Sequence, residues 1–326
     1  MKIAVVGAAG FLGSELCKRL VASGVTLSKL DKNSSEENSI NFCDVENCAE
    51  NGGFSNCDAI INLAAEHKDN VVPSRRYYDV NVRGAEQICE AATKNDISTI
   101  VFTSSVAVYG FAPPGTNETG ETNHFNEYGR TKLLAEQVYR RWQSEDLESR
   151  SLLILRPTVI FGPGNRGNVY NLLRQIANRR FVMFGHGQNV KSMAYVENVA
   201  EFMVMHTDMG PGVHIFNYVD VPDLSMDELV KLVRNFLFNK SDVGLRLPSF
   251  VGVFIGKIFD AIAWLARKQL SISSIRVKKF MATTQFSSAV AKTGFKAPYT
   301  LTEGLEKTLR YEFLEDNRNK PTYDTE

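Results

Sequence analysis

The sequence predicts an α/β protein: a doubly wound parallel sheet with a second, smaller C-terminal lobe. Two observations carry this. In the first half, short β-branched runs alternate with amphipathic helical patterns, as in parallel strands joined by crossover helices. After Pro157 the alternation gives way to a Gly/Pro cluster and then to longer helical stretches. A chain of 326 residues is long enough for two lobes, since single cores stop growing at about 250–300 residues. The expected division is a first lobe over 1–165, with late strands interleaved from 181–220, a second lobe over 166–313, and a flexible tail over 314–326. The tail "LEDNRNKPTYDTE" has few apolar residues to hold it down.

The elements follow in order. Lys2–Val6 is the first strand, and "VVGAAGFLG" places Gly7, Gly10 and Gly13 between it and a helix over Leu12–Ser23. A tight strand-to-helix turn needs glycine where a β-carbon would clash, and it lets backbone amides and the helix N-terminus approach a pyrophosphate. Thr26–Leu30 is the second strand. Asp31 at its end is placed to accept hydrogen bonds from adenosine ribose hydroxyls and to repel a 2′-phosphate, which favours NAD over NADP. Asp44 and Val45, in "CDVEN", either flank the adenine or form an ordinary turn. Ala59–Leu63, Thr99–Thr103 and Leu152–Leu155 are further strands, with a helix over Gly84–Asn95.

Thr99–Thr103 runs into "SSVAVYG", so Ser105 stands at the C-terminal end of a strand, where ligands of such sheets bind. In "NEYGRTK", Tyr128 and Lys132 are four residues apart and share one helical face. A free phenol, with a pKa of about 10, is a poor base at neutral pH. One opposite charge within hydrogen-bonding range lowers such a value by about 1–3. Lys132 together with an oxidised nicotinamide is therefore expected to bring Tyr128 toward neutrality, where a general base works best.

Bulk properties exclude several classes. Lys plus Arg equals Asp plus Glu at 37 each, so no net field draws the chain to nucleic acid or to an anionic surface. Five scattered cysteines without C-x-x-C spacing and five dispersed histidines argue against a disulfide framework and against a metal site. "MKIAVVGAAG" lacks the apolar core and cleavage site of a signal peptide, so the cytoplasm is the expected compartment.

"GAAGFLG", "SSVAVYG" and "YGRTK" resemble the extended short-chain dehydrogenase/reductases, the Rossmann-like NAD-dependent sugar epimerases and dehydratases, over nearly the whole chain. The resemblance implies that Ser105 orients the sugar hydroxyl, Tyr128 exchanges the proton, and Lys132 holds the cofactor ribose and tunes Tyr128. It also implies cofactor contacts from Phe11, Leu12, Leu63, Ala64, Ala65, Pro157 and Asn81, the last in "DVNVRG". The 4,6-dehydratases of the family carry Asp-Glu directly after the hydroxyl residue. Here those positions are Val106 and Ala107, which cannot move protons. Epimerisation at C3 or C5 needs further acid/base residues, and no matching pair is identified. What remains is oxidation at C4, rotation of the 4-keto sugar, and return of hydride to the other face. The cofactor then ends unchanged and stays bound.

Further stretches, "AAEHKDNV", "RPTVIFGPGNRGNVYNLL", "KSMAYVENV", "NYVDVPDLSM" and "SSIRVKKFMATTQF", resemble the bacterial enzymes that epimerise N-acetylglucosamine at C4 on undecaprenyl diphosphate. That likeness implies a diphosphate-linked N-acetylhexosamine substrate in surface-polysaccharide assembly. Lys191-Ser192 stands where soluble nucleotide-sugar enzymes usually have Arg-Asp, which fits a donor lacking uridine. Arg166, Arg276 and Lys191 are candidates for the diphosphate or else solvated surface charges, and Asn168 is a further substrate candidate. His67 either faces the crevice or bonds locally, and Thr283 and Thr284 are expected to leave room for an N-acetyl group. The rival readings are the same chemistry on a soluble UDP-sugar, and an NAD-sensing scaffold without chemistry. A homodimer through helices that include Gly84–Asn95 and Tyr128–Trp142 is the expected assembly.

"SFVGVFIGKIFDAIAWLARKQ" (249–269) is the most apolar segment. A spanning helix needs about 20 mostly apolar residues. About ten strongly apolar residues at roughly −0.3 to −0.6 kcal/mol each are outweighed by Lys257 and Asp260 at about +3 each. The segment therefore does not span. It lies in a membrane interface as a peripheral contact, or it packs on the second lobe or at a dimer contact.

Overall fold

The computed structural model describes residues 1–36, 39–68, 71–252, 254 and 282–325. Seven parallel strands form the central sheet: β1 (Lys2–Val6), β2 (Thr26–Asp31), β3 (Ile40–Phe42), β4 (Ala59–Asn62), β5 (Thr99–Thr103), β6 (Ser151–Pro157) and β11 (Gly212–Tyr218). Their order is β11-β6-β5-β4-β1-β2-β3. The chain builds outward one way through β2 and β3, then returns to β4 on the other side of β1. This reversal opens a crevice at the C-terminal ends of β1 and β4, where ligands of such sheets bind.

Period-2 alternation divides the core. Ile3, Val5, Ile61, Val101, Leu153 and Leu155 face α1 (Phe11–Ala22) and α6 (Val196–Met205). Ala4, Val6, Ile60, Ile100, Phe102, Leu152 and Ile154 face α3 (Gly84–Lys94) and α4 (Glu127–Ser144). Both faces are covered, which is why the strands read as continuous apolar runs. A short helix α2 (Arg75–Tyr78) leads through a π-turn at Asp79–Arg83 into α3.

The remainder is built from short ladders. β7 (Val159–Phe161) pairs with β10 (Met193–Tyr195), β8 (Met183–Phe184) with β13 (Arg246–Leu247), and β9 (Val190–Lys191) with β12 (Leu224–Ser225). Helices α5 (Asn168–Ala177), α7 (Met226–Phe238) and α8 (Leu301–Phe313) complete it. α7 and α8 each begin with a capping box, Ser225 with Glu228 and Thr300 with Glu303. Phe161, Leu173, Met193, Val230 and Leu305 share one core with the α1 face of the sheet.

Composition predicts a frayed tail over 314–326, and the structure differs. Tyr323 docks beside Asn165 through two backbone hydrogen bonds, to Gly164 O and from Arg166 N, both 2.9 Å. One half-buried tyrosine ring and a strand-like bridge suffice where apolar content is low. Arg276 and most of the apolar 249–269 segment lie outside the described residues. At its start Phe250 and Phe254 are 72% and 64% exposed. Among the described residues no helix is long and apolar enough to cross a membrane.

Candidate active site

The first wall of the crevice is the glycine loop. Gly7 has φ +89°, and its amide reaches Leu30 O at 2.8 Å, which turns the chain back over β2. A β-carbon on Gly13 would lie 2.1 Å from Gly7 O, so only glycine permits this approach of helix to strand. Gly10 caps α1 without a side-chain acceptor, and its φ and ψ of −73° and 173° are extended. Phe11 and Leu12 begin that helix, and the positive end of its dipole faces the turn.

Asp31 is buried at the end of β2. Its Oδ2 accepts from Ala9 N at 3.0 Å and its Oδ1 from Asn33 N at 2.9 Å. A carboxylate has about four acceptor positions, so two remain for ribose hydroxyls. A glycine-lined turn, an uncapped helix start and a carboxylate at the second strand suit a dinucleotide without a 2′-phosphate.

The other candidates for this wall fall as follows. A β-carbon on Gly7 would meet Ala64 N and Leu63, so Leu63 and Ala64 cross directly over the loop. Ala64 N donates to Asn62 Oδ1 at 3.0 Å, and Ala65 O meets His67 Nδ1 at 3.4 Å. Pro157, buried, ends β6 opposite Tyr218. Asp44 accepts from Glu46 N at 3.2 Å and so caps its own turn, while Val45 is buried under Gly84.

The second wall carries the reactive groups. Ser105 N-caps the short turn Val106–Tyr109 after β5, and its Oγ accepts from Ala107 N at 3.1 Å. Asn126 N-caps α4 by accepting from Gly129 N at 2.8 Å, which places the cap two residues before Tyr128. The Ser105 hydroxyl acts on that of Tyr128, favouring its ionised form, so the two elements meet at this point. Gly129 holds them together: a β-carbon there would lie 2.4 Å from Ala107 O.

Lys132, one turn on, is 2% exposed. Its Nζ donates to Thr103 O at 2.8 Å and lies 4.8 Å from the Phe102 ring centre. Burial pushes this amine down to about 7, against the opposing pull of Glu136. Burial likewise pushes the Tyr128 hydroxyl up, with the Ser105 hydroxyl offsetting part of the rise. Without the dinucleotide, burial is the larger effect on both groups, and the lysine directs its ammonium at Thr103 O.

Asn81 acts within the protein. Its Oδ1 accepts from Glu66 N (2.9 Å), and its Nδ2 donates to Glu66 O (3.0 Å) and Thr131 Oγ1 (2.9 Å). It staples the loop after β4 to α4 between Tyr128 and Lys132, and it lies in the π-turn, the kind of irregularity found at functional sites. Beneath, Glu136 and Arg156 form a buried ion pair at 2.6 Å, and Ser104 Oγ donates to Glu136 at 2.6 Å. Arg156 also donates to Tyr109 OH (2.7 Å), which donates to Asn217 (2.8 Å). The sequence reading missed this group. The available signal was Glu136 at i+4 from Lys132.

Of the diphosphate candidates, Lys191 lies half-buried on β9, and burial pushes its amine down to about 8. The neighbouring chain is fixed by Ser192 N to Thr284 O at 3.0 Å, and Val190 N donates to Thr283 Oγ1 at 3.3 Å. Ser192 Oγ donates to Asp223 at 3.1 Å. Arg166 is paired with the buried Glu312 at 2.7 Å and stacks 4.2 Å over Tyr170, so its charge is taken up within the protein. Asn168 is exposed at the first position of α5. His67 is solvent-accessible yet closely flanked by protein, which holds its imidazole below the ordinary value with a contribution from Lys132.

Comparison with known proteins accords with this geometry. The chain is 43% identical over 329 residues, 99% of each chain, to the N-acetyl-alpha-D-glucosaminyl-diphospho-ditrans,octacis-undecaprenol 4-epimerase of Escherichia coli O157:H7. It is 27% identical over 253 residues to a UDP-glucose 4-epimerase of Vibrio cholerae, covering 76% of this chain and 73% of the relative. The fold matches the crystal structure of UDP-N-acetylglucosamine 4-epimerase from Bacillus cereus. The TM-score is 0.73 at 18% identity, over 95% of this chain and 98% of that one. The profile of the NAD dependent epimerase/dehydratase family matches residues 3–218, and the chain belongs to that family.

Proposed function

We propose that the protein is an NAD-dependent 4-epimerase that interconverts N-acetylglucosamine and N-acetylgalactosamine on undecaprenyl diphosphate. The observation that carries this is 43% identity along essentially the whole chain to an enzyme of that name. The site supports it chemically. NAD, when bound, supplies the two-electron acceptor and donor for C4.

The chain supplies the rest. Ser105 and Tyr128 together present their hydroxyls to the C4 oxygen. As the phenolate, Tyr128 takes the proton from that oxygen, and as the phenol it returns it, with Ser105 holding the sugar oxygen in line. Lys132, one helical turn from Tyr128, anchors the end of β5 through Thr103 O. Val106 and Ala107 follow Ser105, and neither side chain can serve as an acid or base to expel water. Gly7, Gly10, Gly13 and Asp31 would hold the dinucleotide, and Lys191 would meet the diphosphate.

The reading extends to assembly. α3 and α4 pack side by side on one face of the sheet, the pair through which a homodimer forms. The exposed Phe250 and Phe254 give a peripheral contact with the membrane that holds the lipid carrier. The test of function is a donor comparison. The protein is incubated with N-acetylglucosamine on undecaprenyl diphosphate and, separately, with UDP-N-acetylglucosamine, and the released sugar is analysed. N-acetylgalactosamine from the lipid-linked donor is the expected result. Conversion of the UDP-sugar alone sinks the proposal.

A further inference from the structure

The motif "FGPGNRGN" at 161–168 finds no role in the chemistry above, because Arg166 is paired with Glu312 and Asn168 is exposed. Its glycines serve another contact. A β-carbon on Gly167 would lie 2.5 Å from Thr325 Oγ1, and one on Gly164 would lie 3.0 Å from Pro321 O. Gly164 also has φ +85°, which favours glycine outright. The loop is thus shaped to receive the segment 321–325. Glu312 braces it from below, accepting from Gly164 N and Arg166 Nη1, both at 2.7 Å.

The same segment reaches the other side of the crevice. Tyr323 OH donates to Ser14 Oγ at 2.9 Å, and its ring lies 5.6 Å from that of Phe11. Phe11 opens α1 at the glycine turn, and Ser14 Oγ donates to Phe11 O at 3.2 Å. Thr325 Oγ1 donates to the buried Asn165 Oδ1 at 3.0 Å. Phe11 Cζ would stand 3.2 Å from a β-carbon on Gly162, so the ring sits between the loop and the segment.

We infer that residues 321–325 are a strap that retains NAD, with Tyr323 as a positioning residue acting through Phe11 and Ser14. The strap joins the start of the cofactor helix to the 162–167 loop, and these cannot move apart to release the dinucleotide until it lifts. Retention suits a reaction that returns its cofactor unchanged each cycle, since losing the reduced form midway leaves the enzyme unable to finish. The inference rests on the family's NAD dependence and not on the identity of the sugar.

The experiment measures NAD release from the purified holoprotein by dilution, rapid desalting and quantification of the dinucleotide that remains. Tyr323→Ala removes one ring contact and one hydroxyl hydrogen bond, and release should quicken by on the order of tenfold. Tyr323→Phe keeps the ring and should fall between the two. Gly167→Ala pushes on Thr325 from the opposite side and should also quicken release. Thermal melting of the stripped proteins separates simple destabilisation from retention. If Tyr323→Ala melts lower but releases NAD at the native rate, or if Gly167→Ala leaves release unchanged, the strap is only structural and the inference is overturned.

Discussion

Replacing Lys132 with methionine should remove activity and yet stabilise the protein stripped of its dinucleotide. The amine is 2% exposed and pushed down from 10.5 to about 7. At about 1.4 kcal/mol per tenfold, that difference corresponds to roughly 5 kcal/mol against folding with the charge in place. Losing the bond to Thr103 O gives back about 1.5–3 kcal/mol, the range for a charged donor. Methionine has similar length and refills the space. The net gain is on the order of 2–3 kcal/mol.

The gain depends on pH in a defined direction. The folded-state pKa lies below the unfolded value, so between about 7 and 10.5 the unfolded chain binds more protons and native stability rises with pH. The penalty is fully present below about 7 and fades toward 10.5. A 326-residue chain shifts by about 1.5 °C per kcal/mol, so Lys132→Met should melt about 3–5 °C higher than the native protein at pH 6. The two should cross near pH 9, and at pH 10 the variant should melt slightly lower, since the penalty has largely faded and the lost bond to Thr103 O remains. Scanning calorimetry of both stripped proteins at the two pH values is the assay. A variant less stable at pH 6, or a gap equal at both values, refutes the reasoning.

Tyr128→Phe should lower turnover by about 10²–10⁴ while the purified protein keeps its NAD content, and turnover within threefold of native removes the proton-exchange role. Lys191 is protonated below about 8, so KM for the diphosphate-linked sugar should climb as pH passes 8. Lys191→Met should raise KM at pH 7 by on the order of 10–100-fold and flatten that climb. An unaltered profile in the variant takes Lys191 out of diphosphate binding. Phe250→Glu with Phe254→Glu should cut sedimentation with anionic vesicles by about tenfold, and equal sedimentation removes these rings from the membrane contact.

Local signals made much of the site legible. The glycine turn, Asp31, Ser105 and the Tyr128–Lys132 pair each depend on a few adjacent residues, and strand–helix alternation ordered them around one crevice. Spacing put Tyr128 and Lys132 on one helical face, but it could not say where the ammonium points. That was decided by Thr103, 29 residues earlier on β5. Asn81 showed as a polar residue near the site, and its role as a staple required Glu66 and Thr131 to meet across the fold.

By itself, then, the sequence determined the family's chemistry: a dinucleotide turn, an acid/base pair at helical spacing, and Val106-Ala107 in place of dehydrating carboxylates. Only the tertiary structure decided the charge states and partners. Burial governs Tyr128 and Lys132 more strongly than their attraction to each other, because desolvation depends on everything packed around a group. Arg166 pairs with Glu312 across 146 positions, and Tyr323 reaches Ser14 across 309. No local pattern encodes such contacts, since they exist only once the chain has closed on itself.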